Sequence, residues 1–197
     1  GFSVERLADA VPIAQALLDG GITAIELTLR TVAGVEATRA IHAGVPDMLL
    51  GVGTILTPEQ ARDVKEAGAD FGVSPGLNVK VLEAAASAGL PFAPGVATPS
   101  ELETAIDAGC RLVKFFPAEA CGGVNYLKSM GAPYAHLGIH YFPLGGLNAA
   151  NMVDYLSLPN VPAIGGSWIV QNDLVKRADW VGIRARAAAV MQAVANL

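Results

Sequence analysis

Arg111-Leu112-Val113-Lys114-Phe115-Phe116-Pro117-Ala118-Glu119-Ala120 puts a lysine inside an apolar, strand-like run. Lysine is almost never fully buried unless it is paired or has a task. Excluding water from an ammonium is costly, and a lowered pKa relieves the cost. Such a lysine is a nucleophile able to form a Schiff base with a carbonyl. The competing reading is a strand-end lysine whose charged tip reaches solvent. The stretch alone leaves both readings open.

Working outward, the same pattern of short apolar run, turn and helix recurs along the chain. Strands are predicted over Ala24–Leu29, Leu49–Thr54, Phe71–Pro75, Pro91–Val96, Arg111–Pro117, His140–Gly146 and Val161–Ser167. Between them lie helices from about Val32 to Ala43, from Pro58, over Val79–Ala88, from Pro99, over Tyr126–Met130 and over Ala149–Leu156, with a helical tail over Trp180–Ala195. Thr57-Pro58-Glu59-Gln60 and Thr98-Pro99-Ser100-Glu101 each offer a cap residue followed by proline at the first helical position. An earlier helix covers Leu7 to Leu18, where Pro12 predicts a kink or a late start. Strand–helix repetition without a linker predicts one α/β domain over residues 1–197. Chemistry-bearing residues at the ends of many strands, and no Gly-x-Gly-x-x-Gly at the first helix, favour a (β/α)8 (TIM-type) barrel over an open sheet. Such a barrel needs eight strands. Seven are readable, so a first strand is expected to be missing, through truncation or as a gap that weakens the barrel.

Of the 197 residues, 52% are apolar and 16% charged, which describes a globular chain and not a disordered one. A net charge of −5 argues against a nucleic-acid or anionic-membrane surface. No apolar run reaches the ~18–20 residues that span a bilayer, and the first residues lack a signal-peptide pattern. Cys110 and Cys121 are the two cysteines, which excludes a disulfide framework and fits a reducing cytoplasm. Both read as packing residues. His42, His136 and His140 show no ligand spacing, so no metal site is expected.

In Ala24–Arg30 the alternation sets Ile25, Leu27 and Leu29 on one face and Glu26, Thr28 and Arg30 on the other. Glu26 reads either as a functional carboxylate or as half of an ion pair with Arg30 or Lys114. Arg30 offers a planar fork for a carboxylate, or is a solvated strand-end arginine. Gly51-Val52-Gly53-Thr54, Ser74-Pro75-Gly76 and Pro94-Gly95 are weak signals, each explicable by packing or turn chemistry. Gly145-Gly146 and Gly165-Gly166-Ser167 both end strands, where bare backbone N–H groups form anion nests, and Gly122-Gly123 is a candidate to join them.

Taken together, these stretches resemble the class I 2-keto-3-deoxy-6-phosphogluconate (KDPG) / 4-hydroxy-2-oxoglutarate aldolases. The resemblance runs in order through Ile25–Arg30, Gly51–Thr54, Val73–Gly76, Pro94–Thr98, Val113–Glu119, Gly145-Gly146 and Gly165–Trp168. It implies cleavage of the phosphorylated 2-keto acid to pyruvate and D-glyceraldehyde 3-phosphate in a cytoplasmic homotrimer, with no cofactor. Lys114 would form the Schiff base at the C2 carbonyl. Glu26 would be the general acid/base, acting through water. Arg30 would bind the pyruvate carboxylate, with Thr54 nearby. Pro75 and Phe116 would line the pocket, and Gly145, Gly146, Gly166 and Ser167 would hold the phosphate. Desolvation, with Arg30 as a neighbouring cation, is expected to keep Lys114 partly neutral.

The chain departs from the family pattern at Leu144, where a threonine is usual before the Gly-Gly pair. That change leaves open the 6-phosphogalactonate epimer or 4-hydroxy-2-oxoglutarate as main substrate. An inactive or engineered scaffold retaining the site is the remaining alternative.

Overall fold

The computed structural model describes residues 1–197. Its strands are β1 (Ala24–Thr28), β2 (Leu49–Gly53), β3 (Phe71–Val73), β4 (Phe92–Ala93), β5 (Gly95–Val96), β6 (Leu112–Phe115) and β7 (His140–Pro143), all parallel to their neighbours. The helices are α1 (Ala10–Asp19), α2 (Gly34–Gly44), α3 (Pro58–Glu66), α4 (Val79–Ser87), α5 (Pro99–Asp107), α6 (Gly123–Gly131), α7 (Met152–Leu156), α8 (Asn172–Lys176) and α9 (Trp180–Val194). No helix is long and apolar enough to cross a membrane.

Local chemistry explains the boundaries. Thr57 and Thr98 each accept from the backbone N–H three residues on, with Gln60 and Glu101 closing the capping boxes. Pro12 falls in the first turn of α1, after a 3-10 turn over Leu7–Asp9, so the helix starts late and is not kinked. The Pro91–Val96 stretch is broken into β4 and β5 because Pro94 has no N–H to give the ladder. The Pro94 carbonyl accepts from Lys114 N at 2.9 Å, so the two fragments act as one crossing of the layer.

The outer faces of the strands build the core against the helices. Ile25, Leu27 and Leu50 pack with Ile13, Leu17 and Ile41, and Val113, Phe115 and Tyr141 pack with Leu127 and Met130. The inner faces need glycine. A Cβ on Gly51 would lie 2.1 Å from the Phe71 ring, and one on Gly53 would lie 1.8 Å from Glu26 Oε1. The glycines of β2 thus open the interior to an aromatic ring and to a carboxylate.

Two expectations about closure change. Val161–Ser167 is not a regular strand, yet it follows β7, with Tyr141 N donating to Asn160 O at 2.8 Å and Gly165 N to Pro143 O at 2.9 Å. Pro162, the second residue of that stretch, can donate nothing. Nor is the place of the first strand empty. Phe2 bridges to Leu27 in parallel, Phe2 N donating to Glu26 O at 3.0 Å and Thr28 N to Phe2 O at 2.8 Å. Gly1 N donates to Gly166 O at 3.1 Å. Backbone bonds, with the Gly1 terminal amine at the last join, therefore run around the layer as in a TIM-type barrel. A cleft of about 350 Å³ lies beside Gly1, lined by Ala24, Ile25, Phe71, Phe142, Pro162 and Ile164 among others.

Candidate active site

Lys114 is the inward-facing residue of β6, between Val113 and Phe115, which both pack outward. It is 5% exposed, so the solvent-reaching reading fails. Its Nζ lies 2.9 Å from Oε1 of Glu26, itself 3% exposed. The two elements that meet here are far apart in sequence, β1 and β6, and the ion pair spans the barrel interior. The Phe116 ring stands 5.3 Å from Nζ and covers it with an aromatic face.

The environment of the lysine differs from the expected one in a specific way. Its charged contact is the Glu26 carboxylate and not Arg30. Arg30 is exposed, and its Nε donates to Thr28 Oγ1 at 3.1 Å. The Glu26–Lys114 contact is also direct, without an intervening group. The second carboxylate oxygen, Oε2, is buried and has no partner within the protein. A buried acceptor left in that state is costly, and it is available to a proton-bearing group of a bound molecule.

The remaining residues fall on the rim above this pair. Thr54 follows Gly53 with φ +61°, a strained conformation for a β-branched residue. Pro75 follows β3, and its carbonyl comes so near Gly95 that a Cβ there would lie 2.2 Å from it. Gly95 is in turn the β5 partner of Lys114. Arg30 and Ser167 share a polar cavity of about 760 Å³ with Ser3, Gln171 and Asn172. The last three carried no signal in the sequence, because isolated polar loop residues look like any solvated turn.

Gly145 (φ +98°) and Gly146 (φ +84°) turn their carbonyls into the protein. Gly145 O accepts from Glu119 N at 3.0 Å, and Gly146 O faces the Asn148 and Asn151 side chains at 3.4 and 3.3 Å. The N–H groups of Gly145, Gly146, Gly166 and Ser167 make no bond within the protein. These are the donors that an anion nest would use. Gly122 and Gly123 do not join it, since their N–H groups are consumed by Glu119 O and Ala118 O at 3.1 and 3.0 Å. Leu144 shares the inner face with Lys114 and Phe116 through the β6–β7 register. Its side chain fills the space that a Cβ on Gly165 would take, 2.5 Å away.

Cys110 and Cys121 are half-buried and unpaired, and burial pushes the Cys110 thiol up, away from the reactive thiolate.

Comparison with known proteins shows what the chain is similar to. The family described as "Aldolase: KDPG and KHG aldolase" matches residues 2–186. The KHG/KDPG aldolase of Escherichia coli K12 is 45% identical over 177 residues, which cover 90% of this chain and 82% of that protein. The 2-dehydro-3-deoxy-phosphogluconate aldolase of Dickeya dadantii is 45% identical over 184 residues, 93% of this chain and 85% of the relative. Among solved structures, the KDPG aldolase of Legionella pneumophila, with pyruvate captured as a covalent carbinolamine, superposes with a TM-score of 0.92 at 41% identity, covering 96% of this chain and 91% of the other. The chain belongs to the KDPG and KHG aldolase family.

Proposed function

We propose that the protein is a class I aldolase that cleaves 2-keto-3-deoxy-6-phosphogluconate to pyruvate and D-glyceraldehyde 3-phosphate. The observation that carries this reading is the buried 2.9 Å contact between Lys114 Nζ and Glu26 Oε1. An ammonium must lose a proton before it can attack a carbonyl, and Glu26 is within direct reach to take it.

The Lys114 amine adds to C2 of the keto acid to give a carbinolamine. Protonation of its hydroxyl by Glu26 expels water and leaves the iminium. Glu26 then removes the C4 hydroxyl proton. The C3–C4 bond breaks with its electron pair drawn into the iminium, releasing the aldehyde and an enamine. Protonation at C3 and hydrolysis return pyruvate and free Lys114. Arg30 holds the carboxylate end, with Thr54 beside it. Pro75 and Phe116 bound the reacting carbons. The free N–H groups of Gly145, Gly146, Gly166 and Ser167 hold the phosphate. We further read residues 1–197 as one domain that works in the cytoplasm as a homotrimer. Sedimentation as a monomer would remove the assembly from this reading.

Borohydride reduction in the presence of pyruvate tests the mechanism. The expected product is a covalent adduct on the peptide carrying Lys114, and an adduct elsewhere would overturn the assignment. Retro-aldol turnover that disappears in Lys114→Ala excludes the inactive-scaffold alternative. Leu144 favours a second reading of the substrate, because it lays an apolar wall where a hydroxyl would meet a polar group of the substrate. Turnover on the 6-phosphogluconate and 6-phosphogalactonate forms of the keto acid, compared side by side and with 4-hydroxy-2-oxoglutarate, decides between them.

A further inference from the structure

We propose that Glu119 and Tyr155 form a positioning pair for the Gly145–Gly146 loop, and so set the preference for phosphorylated over unphosphorylated 2-keto acids. The inference rests on the reading of that loop as the phosphate site. Neither residue belongs to the reacting centre. Glu119 follows β6, and Tyr155 sits on α7, 36 residues away in sequence.

The loop offers its N–H groups only while its carbonyls are held elsewhere. Two successive residues do part of the holding from the β6 side: Ala118 N donates to Leu144 O at 2.7 Å, and Glu119 N to Gly145 O at 3.0 Å. The packing there is tight, since a Cβ on Gly146 would stand 2.6 Å from the Cβ of Glu119. A shift of Glu119 therefore carries the loop with it. What fixes Glu119 is Tyr155, whose hydroxyl donates to Oε1 at 2.5 Å from a ring only 1% exposed. Burial first, and then the bond to the carboxylate, keep that hydroxyl protonated well above the usual tyrosine range. The residue that precedes α7, Asn151, reaches Gly146 O directly. One short helix thus holds the loop twice, through Asn151 and through the Tyr155–Glu119 bond. A hydrogen bond to a charged acceptor is strong enough to matter for the loop's placement.

A bond that merely tied α7 to the barrel would lower stability and affect every substrate alike. The test is therefore a split. Steady-state constants are measured on the full chain for the phosphorylated keto acid and for 4-hydroxy-2-oxoglutarate, in wild type, Tyr155→Phe, Glu119→Ala and Glu119→Gln. The expected result for Tyr155→Phe and Glu119→Ala is a KM for the phosphorylated substrate raised roughly tenfold, the scale of one lost charge-assisted hydrogen bond, with kcat within about twofold. The competitive inhibition constant of inorganic phosphate rises by the same factor. Constants for the unphosphorylated substrate, and borohydride trapping of pyruvate on Lys114, stay within about twofold. Glu119→Gln keeps an acceptor and loses less than Glu119→Ala, and it supplies the readout if Tyr155→Phe does not fold. Equal losses on both substrates, or an unchanged KM for the phosphorylated one, overturn the inference while wild type retains its preference. A wild type with no preference for the phosphorylated substrate overturns the phosphate reading as well.

Discussion

The two ends of the site are made of opposite materials. The Lys114 end is two charged side chains, 5% and 3% exposed, held against each other inside the barrel. The end we propose for the phosphate is backbone at the rim, with no charged side chain among Gly145, Gly146, Gly166 and Ser167. A reacting centre needs groups that gain and lose protons, and burial makes the protein's control over them strong. An anchor needs only fixed donors, and backbone N–H groups supply them without adding a charge that would compete with the lysine. The difference teaches that identity matters at one end and conformation at the other.

That contrast ranks the expected effects. Lys114→Ala removes the proposed nucleophile and should lower kcat/KM on the order of 10⁴-fold or more, with loss of the borohydride adduct. Glu26→Gln keeps shape but not the proposed proton transfer, and should cost about 10²–10⁴-fold in kcat, with pyruvate binding largely retained. If Glu26→Gln left kcat unchanged, the buried pair would be structural only.

At the other end, Gly146→Ala introduces a Cβ 2.6 Å from that of Glu119 at φ +84°. A left-handed residue costs roughly 1–2 kcal/mol, so a lower melting temperature is expected, together with a raised KM for the phosphorylated substrate. Equal KM changes on the unphosphorylated substrate would show that conformation there serves more than the anchor.

Away from both ends, Tyr141 tests what burial does without function. Its hydroxyl is buried without a partner, and burial raises its pKa from 10.0 to about 12. The native state keeps this proton after the unfolded chain has lost it. This group's contribution to stability is therefore whole below pH 10 and is lost as pH rises from 10 towards 12, with a slope approaching about 1.4 kcal/mol per pH unit. Urea titrations of Tyr141→Phe should lack this contribution to the alkaline loss. Smallest of all, the Arg62–Glu59 pair is 51% and 69% exposed, and Arg62→Ala should change stability by less than about 0.5 kcal/mol. A larger effect would mean that exposed pairs in this protein behave like the buried one.

The legible parts of the molecule were those where a residue type is out of place. Lysine in the Leu112–Phe116 run and glutamate in the Ile25–Leu29 run stand out because a charge in an apolar strand needs a reason. Helix starts at Thr57 and Thr98 were legible because capping is a local reaction between neighbours. The end of the chain order was harder. Val161–Ser167 reads as a strand by composition, but its ladder is interrupted, and it is joined to β1 through Gly1 and Phe2, too few residues to show any period.

The sequence by itself determined the repeating α/β architecture, the reacting pair as candidates, and the glycines able to leave N–H groups free. Those depend on hydrophobic period, burial cost and backbone freedom, which are properties of single residues and their near neighbours. Only the tertiary structure decided partners. It set Lys114 against Glu26 and not beside Arg30, spent the Gly122-Gly123 donors within the protein while leaving those of Gly145-Gly146 free, and linked Glu119 to Tyr155. The reason is that a partner across the barrel is chosen by strand register and the space glycine leaves, and neither can be read from one strand alone.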